Sequence, residues 1–106
     1  MTKAIWLGFF AVVFCDLTIA ADATAGKAVY DKACKTCHGA DGTPNAGLAK
    51  SLKVEMAHLG DAAVQSTSDD DLKAILTKGK GKMKPVKSVS GKASDDVVAY
   101  MRTLKK

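Results

Sequence analysis

Histidine, cysteine and tryptophan are scarce in this chain, and no stretch of useful length alternates as a strand would. Two histidines, three cysteines and one tryptophan stand among 106 residues. A zinc module needs four ligands in a closed tetrahedral site. Such ligands are few here, and Cys37 and His38, being adjacent, are poorly placed to share one metal. Without a period-2 pattern there is no case for β-structure. A thioredoxin-like dithiol, whose cysteine pair sits in a βαβ unit, falls with it. No internal repeat is visible. Acidic residues are outnumbered, 11 against 16 basic, which leaves a net charge of +5.

Long apolar runs are missing too. The one candidate, Ala4 to Phe14, is broken by Gly8 and stopped by Asp16, well short of the ~20 residues that span a bilayer. Met1-Thr2-Lys3 stands before it as a charged start, and Ala20, Ala21 and Ala23 follow as small residues. That order reads as a secretory signal peptide over residues 1–21, cleaved within 20–23. A retained membrane tether is the alternative. Cys15 follows the bulky Phe14, which does not suit lipid attachment. Residues 22–106 then form one small domain, expected in the periplasm, with Cys34 and Cys37 as its only thiols. In an oxidising compartment a bare pair would tend to close as a disulfide.

Cys34-Lys35-Thr36-Cys37-His38 gives those thiols another use. Residues i and i+3 share one face of a helical turn. Both sulfurs can thus reach neighbouring vinyl groups of a haem while His38 turns a ring nitrogen toward the iron. C-x-x-C-H is the recognised signature of c-type haem attachment. One covalent haem c would also supply the apolar centre that a domain this small lacks. The unattached polypeptide is expected to fold poorly.

Three stretches read as helical. The first runs from Thr24, a possible N-cap, through Gly26, Val29, Tyr30 and Ala33 into the cysteine pair. Gly39, Gly42, Pro44, Asn45 and Gly47 then break regular structure. An ambiguous segment, Leu48 to Leu59, follows. The second helix starts at Ser68 and ends at Gly79, with Leu72, Ile75 and Leu76 as its buried stripe. Asp69, Asp70 and Asp71 in its first turn suit the positive end of the helix dipole better than a metal site. The third begins near Ser90 or Ser94 and runs to about Leu104, presenting Val97, Met101 and Leu104 on one side.

His38 leaves one axial iron position to fill, and Met56, His58, Met83 and Met101 can compete for it. Met101 lies in a helix stripe and Met56 in an amphipathic segment, so packing is the expected role of both. Met83 stands between a glycine-rich turn and Pro85 with few apolar neighbours, and a loop can carry a side chain over a flat cofactor. Met83 is the favoured distal ligand, as in His/Met cytochromes. His58 is the rival, in a bis-His, lower-potential site. The other ring N–H of His38 is expected to reach a backbone carbonyl, with Pro44 or a neighbour as acceptor.

With these residues in place, the chain resembles the small bacterial class I c-type cytochromes. Gly26 and Tyr30 match that family's Gly and aromatic in the first helix. Val97 and Tyr100 match the aliphatic-x-x-aromatic step they pack against, and Met83 matches the distal methionine. The resemblance implies an all-α fold of three or four helices wrapped around one covalently bound haem, and a single-electron carrier rather than an enzyme. Two departures stand out. Lys84 separates Met83 from Pro85, and Trp6 leaves with the signal, so no tryptophan remains for a haem propionate.

Lys78, Lys80, Lys82, Lys84 and Lys87 surround the ligand loop and are expected to dock an acidic redox partner. Nucleic acid is not an expected partner, and a monomer is. The competing class is a haem-based sensor or enzyme subunit with a labile distal ligand.

Overall fold

A computed structural model describes Gly8 and residues 21–106. The rest of the expected leader, with Trp6 and Cys15, lies outside the described residues. Six helical segments follow one another: α1 (Ala23–Ala33), α2 (Lys35–His38), α3 (Ala46–Leu52), α4 (Ala62–Gln65), α5 (Asp69–Lys78) and α6 (Lys92–Arg102). No strand is present among the described residues, only an isolated bridge between Lys80 and Met83. The fold is all-α, as expected. Four helices exceed one turn or so, and α2 and α4 are short additions to the expected count.

The termini of these helices follow local chemistry. Asp22, not Thr24, caps α1: its carboxylate accepts from the Thr24 and Ala25 N–H groups at 2.9 and 3.2 Å. Aspartate and threonine are both good caps, and Asp22 stands directly before Ala23, the first helical residue. Ser68 caps α5 as expected, its hydroxyl accepting from Asp71 N–H at 3.1 Å, and Gly79 ends that helix with φ 76°. The last helix starts at Lys92 after Gly91, between the two expected serines, and ends at Arg102 rather than Leu104. Of the Leu48–Leu59 segment only the first part is helical. Met56 falls in the irregular stretch beyond α3, so no amphipathic helix accounts for it.

The core forms where α1 crosses α6. Tyr30 and Val97 are fully buried, with Cys34, Leu59, Leu72, Leu76, Val89, Val98 and Met101 around them. A Cβ placed on Gly26 would overlap the Asp96 carbonyl oxygen and carbon on α6. The helices therefore meet backbone to backbone, an approach that only a residue without a side chain permits. The tyrosine rings stack obliquely beside this point, Tyr30 on Tyr100 at 5.0 Å and 59°, a favourable tilted geometry for aromatic pairs.

The other end of α6 is tied to the α4–α5 link. Arg102 donates to the carbonyls of Gln65 and Thr67 at 2.9 and 2.7 Å and pairs with Asp69 at 2.6 Å. Gln65 in turn donates to Leu59 and Met101 carbonyls. Asp69 and Asp70 thus face cations, Arg102 and Lys73.

Gly26→Ala should destabilise the holoprotein by about 1–3 kcal/mol or more, since rigid backbone has to move aside for one methyl group. Urea unfolding of wild type and variant measures the difference.

Candidate functional site

The C-x-x-C-H turn is α2 with the residue before it. Cys34 closes α1, its N–H bonded to the Tyr30 carbonyl at 2.9 Å, and its own carbonyl accepts from Cys37 and His38 N–H groups at 3.2 and 2.9 Å. One helical turn thus places the two sulfurs i and i+3. Both are free thiols. Cys34 is buried and belongs to the core cluster, whereas Cys37 is half-buried. Burial, and secondarily the neighbouring Cys37, pushes the Cys34 thiol up to about 11. At neutral pH it is a protonated and weak nucleophile for disulfide exchange, which leaves the pair available.

Three polar side chains fasten the motif. The Tyr30 hydroxyl donates to the Gly39 carbonyl at 2.6 Å and to that of His38 at 3.3 Å. Its own ionisation is pushed up to about 12, chiefly by burial, so it remains a donor. Tyr100 reaches the Ala40 carbonyl at 3.4 Å. Asn45 works in both directions: its N–H bonds the Cys37 carbonyl at 2.9 Å and its amide nitrogen the Thr36 carbonyl at 3.3 Å. Its side-chain oxygen caps α3 through Leu48 N–H at 3.1 Å. The sequence offered Asn45 as a breaker. Its place ahead of Ala-Gly-Leu, where an N-cap would stand, was the available signal.

His38 Nδ1 is buried and has no hydrogen-bond partner. The expected bond to the Pro44 region does not form; instead, the loop from Gly39 returns by pairing Asn45, not Pro44, with the motif. Burial holds the His38 ring below the usual imidazole range, so it stands neutral, the form that binds metals. Two free thiols at i and i+3 and a neutral, half-buried imidazole directly behind them suit a covalent haem. Further along the chain, Pro44, Ala46, Ala49, Val54, Glu55, Met56 and Ala57 line a hollow of about 700 Å³ to which the three motif side chains do not contribute.

Met83 is placed by a closed turn. Lys80 and Met83 exchange both backbone bonds, at 3.0 and 2.9 Å. Gly81, at φ 57°, takes the first central position, the one that type II′ turns give to glycine. Val86 N–H returns to the Leu76 carbonyl of α5 at 2.7 Å. Pro85 seats against Gly79, which has no Cβ to obstruct it. Lys84 is thus an exposed residue between two fixed points, and its insertion does not unseat the loop. The half-buried Met83 packs on the cluster that contains Cys34.

Of the rival ligands, Met101 is buried in the core, as its stripe position implied. His58 is half-buried. Its Nδ1 accepts from Gly60 N–H at 2.8 Å. A backbone N–H can only donate, so in the neutral ring Nε2 carries the proton and has no lone pair to offer iron.

An all-helical fold that secures a C-x-x-C-H turn at the end of its first helix defines a small c-type cytochrome. Comparison with known families agrees. The chain matches the family described as "Cytochrome C oxidase, cbb3-type, subunit III" over residues 21–101, and it belongs to that family. Among solved structures it is similar to the KustC0563 c-type cytochrome, at 32% identity and TM-score 0.63; the match covers 76% of this chain and 98% of that one. No curated protein matches it. The chain is therefore a c-type cytochrome for haem-based electron transfer, with covalently bound haem c as its cofactor.

Tyr30→Phe should cost about 1–2 kcal/mol of stability, because the Gly39 carbonyl loses its buried partner. The loss should appear in thermal unfolding of the holoprotein with its haem still attached.

Proposed function

We propose that this chain is an exported, soluble single-electron carrier holding one haem c. Cys34 and Cys37 bind it through thioethers, and His38 and Met83 supply the two axial ligands. The observation that carries this reading is the common footing of the two arms. Cys34 lies in the core cluster, and Met83, on a turn closed by its own backbone, packs against that same cluster. When bound, the haem supplies reversible one-electron exchange at iron. The residues of the chain hold it, keep water from it and occupy both axial positions, which leaves no site for a substrate.

Tyr30 and Asn45 keep the His38 turn in register, while Gly79 and Gly81 let the Met83 turn fold back over the end of α5. The engaged Nδ1 of His58 supports Met83 over a bis-His arrangement. No described helix is long and apolar enough to cross a membrane. The charged start, apolar run and small residues of 1–21 support export to the periplasm as a leader that is removed.

The segment from Lys78 to Lys87 holds five lysines and no acidic residue. All five are exposed, and none enters an ion pair among the described residues. This basic rim around Met83 is the docking surface for an acidic redox partner. Its field speeds encounter more than it tightens the complex.

Met83→Ala should abolish the far-red absorption band of ferric methionine-ligated haem, and His58→Ala should leave it intact. Persistence of the band in Met83→Ala moves the ligand elsewhere. Electron exchange with an acidic partner protein should slow at least several-fold when salt is raised to about 0.15 M, where charges are screened beyond about 8 Å. Stopped-flow rates measure this, and a flat response removes the lysine rim from docking.

A further inference from the structure

Asp96 is an unusual carboxylate. It sits at the tightest point of the α1–α6 crossing, and its side chain is only 6% exposed. Lys92 Nζ approaches one oxygen at 2.8 Å and the other at 3.1 Å. The Asp22 main-chain N–H donates to the second oxygen at 2.8 Å, across 74 positions of sequence. That N–H, more than Lys92, holds the Asp96 carboxyl below the usual carboxylate range. One buried anion is therefore shared between a half-exposed lysine and the main-chain amide just ahead of α1.

Three alanines offer the small residue that leader cleavage requires: Ala20, Ala21 and Ala23. The strict A-x-A spacing, Ala21-Asp22-Ala23, points to Ala23, but the fold points to Ala21. Cleavage after Ala23 would remove Asp22, and with it both the cap of α1 and the partner of Asp96. Cleavage after Ala20 would leave Asp22 N as an uncharged amide. Only hydrolysis of the Ala21–Asp22 bond turns the very nitrogen that already meets Asp96 into an ammonium. Both Ala21 and Asp22 are exposed and outside the helices, so a peptidase can reach the bond.

We propose that maturation cleaves Ala21–Asp22 and that the new α-ammonium of Asp22 forms a largely buried ion pair with Asp96. This rests on the export reading above. Water adds across the peptide bond, leaving a carboxylate on Ala21 and an amine on Asp22 that takes up a proton. Charge-assisted hydrogen bonds are roughly twice as strong as neutral ones. Processing therefore strengthens the contact that holds α1 on α6, and the mature domain is more stable than its precursor. The charged groups that bear on the pair are Lys92, the Asp22 side chain (engaged with Thr24 and Ala25 N–H) and Asp95, which faces Lys92.

Intact mass and N-terminal sequencing of the secreted holoprotein should find Asp22 first. A start at Ala21 or Thr24 overturns the ion pair while leaving export intact. A chain that retains its leader overturns the export reading instead. In protein that starts at Asp22, the α-amine should react with an acylating reagent at neutral pH about ten-fold more slowly than in Asp96→Asn, the effect of one unit of added basicity. Should Asp96→Asn fail to fold, wild type compared with itself in urea should give the same contrast. Equal rates in either comparison refute the pair. Because folding holds the Asp96 carboxyl low, its contribution is present above the ordinary carboxylate range and fades as pH falls through the folded value. The stability gap between wild type and Asp96→Asn should accordingly close in acid.

Discussion

Everything in this small domain hangs from the contact of two backbones at Gly26. With no Cβ there, α1 lies directly on the main chain of α6 at Asp96. The consequence runs outward along both helices. One turn further on, the rings of Tyr30 and Tyr100 meet at 5.0 Å, and Val97 is shut away completely. One turn beyond that, the Tyr30 hydroxyl takes hold of Gly39, and the C-x-x-C-H turn is set in place. The depth at which the helices cross thus determines where His38 stands. A cofactor site is being positioned by helix packing some distance away.

The cysteine motif is the second organising element, and it depends on the first. Cys34 belongs to two structures at once, as the C-cap of α1 and as a member of the buried cluster. The methionine loop packs on that cluster as well, tied to α5 through Val86 and Leu76. The chain between the two arms is seated by residues of little obvious importance. Gln65 and Arg102 anchor the α4–α5 link to the end of α6, and the Leu59 N–H pairs with the Gly42 carbonyl at 3.1 Å.

Much of this was legible in the sequence because it depends on residue type at short range. Gly26, Tyr30, Val97 and Tyr100 carried the crossing, Ser68 and Gly79 bounded α5, and the glycines around Met83 marked a loop. What escaped depends on contacts between distant positions. Asp22 rather than Thr24 begins α1 because it meets both the helix amides and Asp96. Asn45 acts as a brace since the loop before it returns to Cys37. Arg102 reads as one more surface charge until the fold brings three acceptors around it. His58 reads as a ligand candidate from its residue type alone, whereas in the fold its ring already accepts from Gly60 N–H.

The turn from Lys80 to Met83 is made wholly of main-chain bonds and glycine geometry. None of its closing contacts involves the side chain at position 83. That position is therefore a socket whose backbone is laid independently of the side chain it presents, although Met83 itself packs on the core cluster. Under the proposed ligation, exchanging one sulfur or nitrogen donor for another there by a single substitution would alter electrochemical character while the helices beneath kept their arrangement.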